Sequence, residues 1–144
     1  SARRPIRSEK YFTLENELKA KHGSMQMFAP HDDLVCNFSC NVFSVEEVHK
    51  IAILDLRILN CDRNEENILV KKSQQYVETS TGQRLKKEYK LIPIDHGLSF
   101  PDNFHIYDYE VVWMDYPQVR QPLTEKELEF ISAIDPVEDC KRLS

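Results

Sequence analysis

The amino-acid sequence predicts an α+β fold for all or part of one soluble domain of 144 residues. Two segments combine helical periodicity with a helix-start signal, and two β-rich runs lie between them. Apolar residues make up 41% of the chain, enough for a buried core, yet no run reaches the roughly 20 apolar residues of a membrane span. Together these observations predict a mixed helix and sheet domain.

The first 22 residues are predicted to form a separate N-terminal segment that contains a short helix. Residues 13–21 are good helix formers, and Gly23 stands where a left-handed cap would end the helix. The segment lacks the apolar stretch of a signal peptide, which predicts a cytoplasmic location. The cysteine spacing fits neither a disulfide scaffold nor a zinc site and agrees with a reducing compartment; the cysteines are Cys36, Cys40, Cys61 and Cys140.

The strongest helix signal covers residues 44–60. Ser44 and Glu47 form a predicted capping box, and the apolar residues that follow recur near helical spacing. The high apolar content of this segment predicts a core helix.

Two β-leaning runs follow, at residues 67–79 and 87–94. The turn residues around Gly82 join them into a predicted hairpin. Pro93 cannot donate to a strand ladder, so its strand is predicted to lie at a sheet edge or to be bulged.

The C-terminal part of the sequence predicts two more helices. Thr124 and Glu127 form a second capping box, and Asp135 and Pro136 have the residue types of a cap and a first helical position. Only eight residues follow Pro136, so we expect the last helix to be truncated and the chain to be part of a longer protein.

Two short polar islands carry the candidate chemistry. Residues 62–67 precede an apolar strand, and Asp95-His96-Gly97 follows another. Asp62 and Asn67 are five residues apart, as in kinase catalytic loops, where the Asp holds the attacking hydroxyl, the Asn holds a metal and a later Asp-x-Gly supplies another ligand. Each island alone could be an ordinary turn, but together they predict phosphoryl transfer. Gly97 is expected to let the backbone turn sharply after Asp95.

These islands and their surroundings resemble the C-terminal catalytic lobe of the phosphatidylinositol 3-/4-kinase superfamily, with type II and plant gamma-class phosphatidylinositol 4-kinases as the closest likeness. The resemblance covers roughly residues 23–135. It rests on L-D-L-R-I-L-N-C-D-R-N-E-E-N-I-L-V and L-I-P-I-D-H-G-L-S-F-P, and on three further segments: G-S-M-Q-M-F, S-V-E-E-V-H-K-I-A-I-L-D and W-M-D-Y-P-Q-V-R-Q-P-L-T. It implies a protein-kinase-like C-lobe over residues 23–144, mainly helical with a hairpin near the active site. We expect the N-lobe, with its strand-borne Lys, to lie outside this chain.

The resemblance also implies roles for individual residues, with ATP and Mg²⁺, or Mn²⁺ in its place, as cofactors. Asn67 and Asp95 are the implied metal ligands, and Arg63 organises the catalytic loop. Asn64 stands where many family members have a His, and an amide cannot exchange a proton near neutral pH. The implied catalytic residues are Asp62, Arg63 and Asn64, and the implied cofactor-binding residues are Asn67, Asp95, His96 and Gly97.

The charge pattern limits the substrate. Residues 98–119 contain four acidic residues and no Lys or Arg, which disfavours a polyphosphoinositide because phosphate recognition relies on these cations. Plain phosphatidylinositol or a Ser/Thr protein acceptor fits better. A net charge of −5 without a dense basic stripe argues against nucleic-acid binding.

Two features make peripheral membrane contact an open alternative. The first is a group of aromatic residues that either forms a ledge at a membrane interface or packs inside the lobe; its members are Tyr107, Tyr109, Trp113 and Tyr116. The other is a basic cluster on the hairpin, which either contacts anionic lipid or is a solvated face; its members are Lys71, Lys72, Arg84, Lys86, Lys87 and Lys90.

The resemblance therefore implies ATP-dependent transfer to the 4-hydroxyl of phosphatidylinositol by the catalytic lobe of a longer enzyme, in the cytoplasm or on the cytosolic face of membranes. Two alternatives stay open. One is a Ser/Thr protein kinase on the same fold, and the other is a degenerate kinase lobe that serves as a binding module.

Overall fold

The computed structural model describes residue 25 and residues 27–101 and 110–143. The predicted α+β class is confirmed, whereas the predicted helix at 13–21 and Gly23 lie outside the described residues. No helix in the described part is long and apolar enough to cross a bilayer. The helices are α1 (Val45–Ile58), α2 (Glu125–Ser132) and α3 (Pro136–Leu143), and the strands are β1 (Asp33–Leu34), β2 (Asp62–Arg63), β3 (Ile68–Thr79), β4 (Gly82–Pro93) and β5 (Glu110–Val111).

Helix α1 is the predicted core helix, and it buries Val48 and Ile51 completely. Its N-terminus forms only half of the predicted capping box. The Ser44 hydroxyl accepts a hydrogen bond from the Glu47 N–H at 3.3 Å. The Glu47 carboxylate instead accepts from the N–H of Leu91 in β4 at 2.6 Å, so it fastens α1 to the sheet rather than closing its own first turn.

The other two helix starts are confirmed. In α2 both halves of the capping box form between Thr124 and Glu127. At α3 the Asp135 carboxylate accepts from the N–H groups of Val137 and Glu138 at 2.9 and 3.3 Å, and Pro136 occupies the first helical position.

Strands β3 and β4 form an antiparallel hairpin in unbroken register, from Ile68 opposite Pro93 to Thr79 opposite Gly82. The second strand begins at Gly82 rather than at residue 87, because pairing extends from the turn through polar residues that give no alternating apolar signal. Gly82 has a φ of 118°, a conformation that glycine adopts easily. The sheet order is β1-β3-β4 in the described chain, so β4 is an edge strand, as Pro93 predicts.

The hydrophobic core lies between α1, the base of the hairpin and the 3₁₀ turns at residues 112–120. Trp113 and Tyr116 belong to it, with only 5% and 8% of their surfaces exposed. Of the two alternatives for these rings, packing in the interior is confirmed for Trp113 and Tyr116, so these two do not form a ledge at a membrane interface. Tyr107 and Tyr109 lie outside the described residues.

Candidate active site

The two polar islands meet at one end of the hairpin. Asn67 immediately precedes β3, and Ile94 and Asp95 immediately follow β4. The Ile94 N–H donates to the Asn67 carbonyl at 3.0 Å, one step beyond the last pair of the ladder. Sheet pairing therefore places Asn67 and Asp95 beside each other, although 27 residues separate them along the chain.

Arg63 ties these islands to helix α1. Its guanidinium is completely buried, and its Nε donates to both carboxylate oxygens of Asp55, at 3.1 and 3.0 Å. Its Nη1 donates to the carbonyls of Asn67 at 2.9 Å and Ile94 at 2.5 Å, and its Nη2 donates to His96 Nδ1 at 2.9 Å. Because the side chain has no exposed surface, Arg63 positions the site and does not touch a substrate.

Asp55 is a site residue that the sequence analysis missed. Its buried carboxylate accepts hydrogen bonds from Arg63, from the Trp113 indole N–H at 2.9 Å and from the Asn60 side-chain amide at 3.4 Å. One signal for it is present in the sequence: the carboxylate lies in the apolar run I-L-D-L of a core helix. A charge that is buried in this way needs a partner of opposite charge. The three contacts satisfy both oxygens and fix the guanidinium that holds the islands together.

Asn64 braces the first island. Its side-chain amide donates to Asp62 Oδ1 at 2.9 Å, and its carbonyl oxygen accepts from the Glu66 N–H at 2.9 Å. Asn64 thus caps the 3₁₀ turn at Glu65–Asn67 while it orients the Asp62 carboxylate. The Asn67 amide nitrogen closes the loop by donating to the Asp62 carbonyl at 2.9 Å.

The second island bends at Asp95, which has a φ of +50°. The positive φ belongs to the aspartate and not to Gly97, which lies in the turn that the Ser99 N–H closes by donating to the His96 carbonyl at 3.2 Å. Gly97 also provides space, because a Cβ there would lie 3.1 Å from Asp95 Oδ1. The same Oδ1 accepts from the Gly97 N–H at 3.0 Å.

His96 is held as a neutral ring that accepts from Arg63. Because the guanidinium only donates, Nδ1 must be the acceptor and the ring proton lies on Nε2. Burial, and then the positive charge of Arg63, lower the pKa of His96 below its ordinary value of 6.5. His96 therefore offers a neutral Nε2–H donor at physiological pH.

An open cavity of about 960 Å³ lies beside the second island. One wall is formed by the end of the hairpin and the island, and the other by the segment before β1. Its volume is within the range of small-molecule and cofactor sites. The lining residues are Met27, Phe28, Ala29, His31, Leu69, Ile94, Asp95, His96 and Gly97.

The donor set at the end of the hairpin suits a magnesium ion. Within the described part of the chain, Asn67 uses its amide nitrogen for the Asp62 carbonyl and keeps its Oδ1 for a cation, and Asp95 uses Oδ1 for the Gly97 N–H and keeps Oδ2. Mg²⁺ prefers such oxygens and is usually held by one or two side chains together with substrate phosphates. The described residues contain no cluster of three His, Cys, Asp or Glu that would form a complete protein cage.

Two aspartates and an amide on two adjoining loops are the set that kinases use to handle ATP and its metal. The chain belongs to the phosphatidylinositol 3- and 4-kinase family, whose model matches residues 2–144. It is similar to phosphatidylinositol 4-kinase gamma 6 of Arabidopsis thaliana, with 41% identity over 88% of this chain and 19% of the relative. Phosphatidylinositol 4-kinase gamma 5 of the same plant is 39% identical over 90% of this chain and 19% of its own length.

The chain thus spans about a fifth of the length of the curated relatives it matches. No solved structure matches it.

Proposed function

We propose that this chain is the kinase-like catalytic lobe of an enzyme that transfers the γ-phosphoryl group of ATP to the 4-hydroxyl of phosphatidylinositol. The observation that carries the proposal is the buried Arg63, which joins the Asp62–Asn67 loop to the Asp95–Gly97 loop beside an open cavity. Membership of the family and the names of the relatives support a phosphoinositide acceptor.

Each loop residue has a separate role. The inositol hydroxyl oxygen attacks the γ-phosphorus of ATP, and the bond between that phosphorus and the ADP oxygen breaks. Asp62 accepts the proton that the hydroxyl loses. Asn64 orients the Asp62 carboxylate through their 2.9 Å hydrogen bond. Asn67 and Asp95 would hold Mg²⁺, which when bound neutralises charge on the transferring group. The His96 Nε2–H is available to donate to a phosphate oxygen.

The charge of residues 98–119 supports a phosphatidylinositol acceptor without ring phosphates. Residues 98–119 carry no Lys or Arg, so this segment has no cation for an extra ring phosphate. Unphosphorylated phosphatidylinositol, with one diester charge and free hydroxyls, is the acceptor that suits such a segment. A Ser or Thr of a protein is the second candidate, because the loops specify phosphoryl transfer and not the acceptor.

The test compares Asp62→Asn and Asp95→Asn with the wild type in the full-length protein, using ATP, Mg²⁺ and phosphatidylinositol in detergent micelles. We expect each variant to lose about 100-fold or more in rate, as is typical when a general base or a metal ligand is removed. Asp139→Asn is the matched control, because Asp139 pairs with Arg57 on the surface away from the loops. It should keep wild-type activity.

Other outcomes would redirect the proposal. Equal activity of wild type and both loop variants would show that these aspartates do not carry the chemistry. Phosphorylation of a protein acceptor but not of lipid would establish the protein-kinase alternative. A wild-type protein that is inert toward both acceptors would favour the binding module, the alternative that Asn64 in place of the usual His supports.

A further inference from the structure

We infer that the outer half of the β3–β4 hairpin docks onto an anionic lipid bilayer. Every residue from Gln74 to Lys87 is exposed, and we call this part of the hairpin the distal ribbon. It continues from Val70 and Leu91, a buried cross-strand pair that anchors the hairpin in the core. The ribbon is thus a firmly rooted projection that takes no part in the core.

The hairpin has the opposite charge from the rest of the chain. Residues 68–93 contain six Lys or Arg and two Glu, which gives a net charge of +4. The remaining residues contain 13 Lys or Arg and 22 Asp or Glu, which gives a net charge of −9. From Val70 to the turn the hairpin extends about 33 Å, at roughly 3.3 Å per residue. This is several times the Debye length of about 8 Å at physiological salt, so the acidic body does not cancel the field of the distal ribbon, which itself carries three Lys or Arg and one Glu, a net charge of +2.

The strand register sorts the side chains of the hairpin onto two faces. Directly opposite residues share a face, so Lys71, Arg84, Lys86 and Lys90 lie on one side. Near the turn the other side carries Tyr76 opposite Leu85, and Tyr76 is 74% exposed. Val77, also exposed, lies opposite Arg84. The end of the ribbon therefore combines apolar groups with cations.

This mixture of cations and apolar side chains fits a bilayer better than it fits water or an acidic protein surface. Lysines on exposed strands prevent pairing with other chains, which accounts for the cations but not for the exposed Tyr76 and Leu85 on one face or Val77 on the other. An acidic protein surface would likewise use only the cations. At a membrane interface, Tyr and apolar side chains enter the headgroup region while Lys and Arg bind anionic lipid headgroups. A ribbon that approaches tip first satisfies both groups at once.

Docking does not require phosphoryl transfer. If the proposed function also holds, the ribbon keeps the lobe at the surface where its lipid acceptor resides. The two proposals can be tested separately, because vesicle binding is measured without ATP and, in the kinase assay, an excess of nonionic detergent dilutes phosphatidylinositol so that each micelle carries little surface charge.

The experiment measures co-sedimentation of the full-length protein with vesicles of phosphatidylserine and phosphatidylcholine. Each cation near an anionic surface strengthens binding by a factor of about five, so the triple variant Arg84→Gln, Lys86→Gln, Lys87→Gln should bind on the order of 100-fold more weakly. The pair Tyr76→Ser, Leu85→Ser should also weaken binding while the salt dependence of the affinity stays unchanged. All five positions are exposed, so folding should be preserved.

The matched control is Lys126→Gln, Lys141→Gln, Arg142→Gln, which removes three cations from helices α2 and α3. It should bind like the wild type, and the ribbon triple variant should keep wild-type activity on micellar phosphatidylinositol. Equal losses in the two triple variants, or equal binding of the wild type to pure phosphatidylcholine, would overturn the inference. Unimpaired vesicle binding by the ribbon triple variant would overturn it as well.

Discussion

Two Arg–Asp pairs anchor helix α1, one inside the lobe and one on its surface. Arg63 and Asp55 are both completely buried, whereas the side chains of Arg57 and Asp139, which join α1 to α3, are 33% and 25% exposed. In both pairs the guanidinium contacts both carboxylate oxygens. The same local geometry therefore has different consequences: water screens the outer pair, while the inner one determines where the two loops lie.

The largest effect is expected from Arg63→Met. This change leaves the Asp55 charge buried without its partner and should lower the free energy of unfolding by about 3–5 kcal/mol. Urea unfolding followed by circular dichroism measures the loss. The double variant Arg63→Met, Asp55→Leu should recover part of it, because no buried charge remains; a double variant as unstable as the single one would show that packing, not charge, is responsible.

A smaller effect is expected from Trp113→Phe, which keeps an aromatic ring in the core but removes the N–H that binds Asp55 Oδ2 at 2.9 Å. The Asp55 carboxylate loses a buried hydrogen bond, and the smaller phenyl ring leaves part of the indole volume unfilled. Together these changes should lower the free energy of unfolding by about 1–3 kcal/mol. The same urea titration measures it. No change would mean that Arg63 and Asn60 satisfy the Asp55 carboxylate without the indole.

The inner network also predicts a pH dependence through His96. Because its pKa is lowered in the folded protein, the unfolded chain binds the proton first as pH falls below the ordinary value of 6.5. The contribution of His96 to stability is complete above that value and is lost as pH falls through the folded pKa. His96→Asn should flatten this part of the curve of urea midpoint against pH, and an unchanged slope would assign it to other groups.

The smallest effect is expected from Arg57→Met, the surface counterpart of Arg63→Met. Exposed ion pairs contribute little, so the urea midpoint should hardly move, and added salt should remove any difference from the wild type. A loss as large as that of Arg63→Met would contradict the distinction between the two pairs.

Local signals in the sequence predicted much of this molecule, and non-local contacts decided the rest. The same capping-box motif closes fully at Thr124 but only half at Ser44, where the Glu47 carboxylate accepts from Lys50 and from the N–H of Leu91, 44 residues beyond Glu47, instead of from the Ser44 N–H. Helix spacing could not reveal the contact with Leu91. The outer part of β4 was missed for a related reason: its polar residues pair because the turn places them opposite β3.

The candidate site shows the same division. The spacing of Asp62, Asn67 and Asp95 could be recognised in the sequence because catalytic loops are local. The role of Asp55 could not, since it depends on Arg63 and on Trp113, 58 residues away. The sequence could name the groups suited to chemistry but not the buried charge pair that brings them together.

The five N–H groups of Arg63 also have a consequence for the order of folding. Its contacts with Ile94 and His96 span 31 and 33 residues, across the whole hairpin, while Asp55 is only eight residues away. The guanidinium can thus meet Asp55 and the Asn67 carbonyl before β3 and β4 have paired, whereas its bonds to Ile94 and His96 need the complete hairpin, because closing the longer loop costs more chain entropy. During synthesis, the two loops cannot come together until residue 96 has emerged, whereas Arg63 and Asp55 can pair before the hairpin exists.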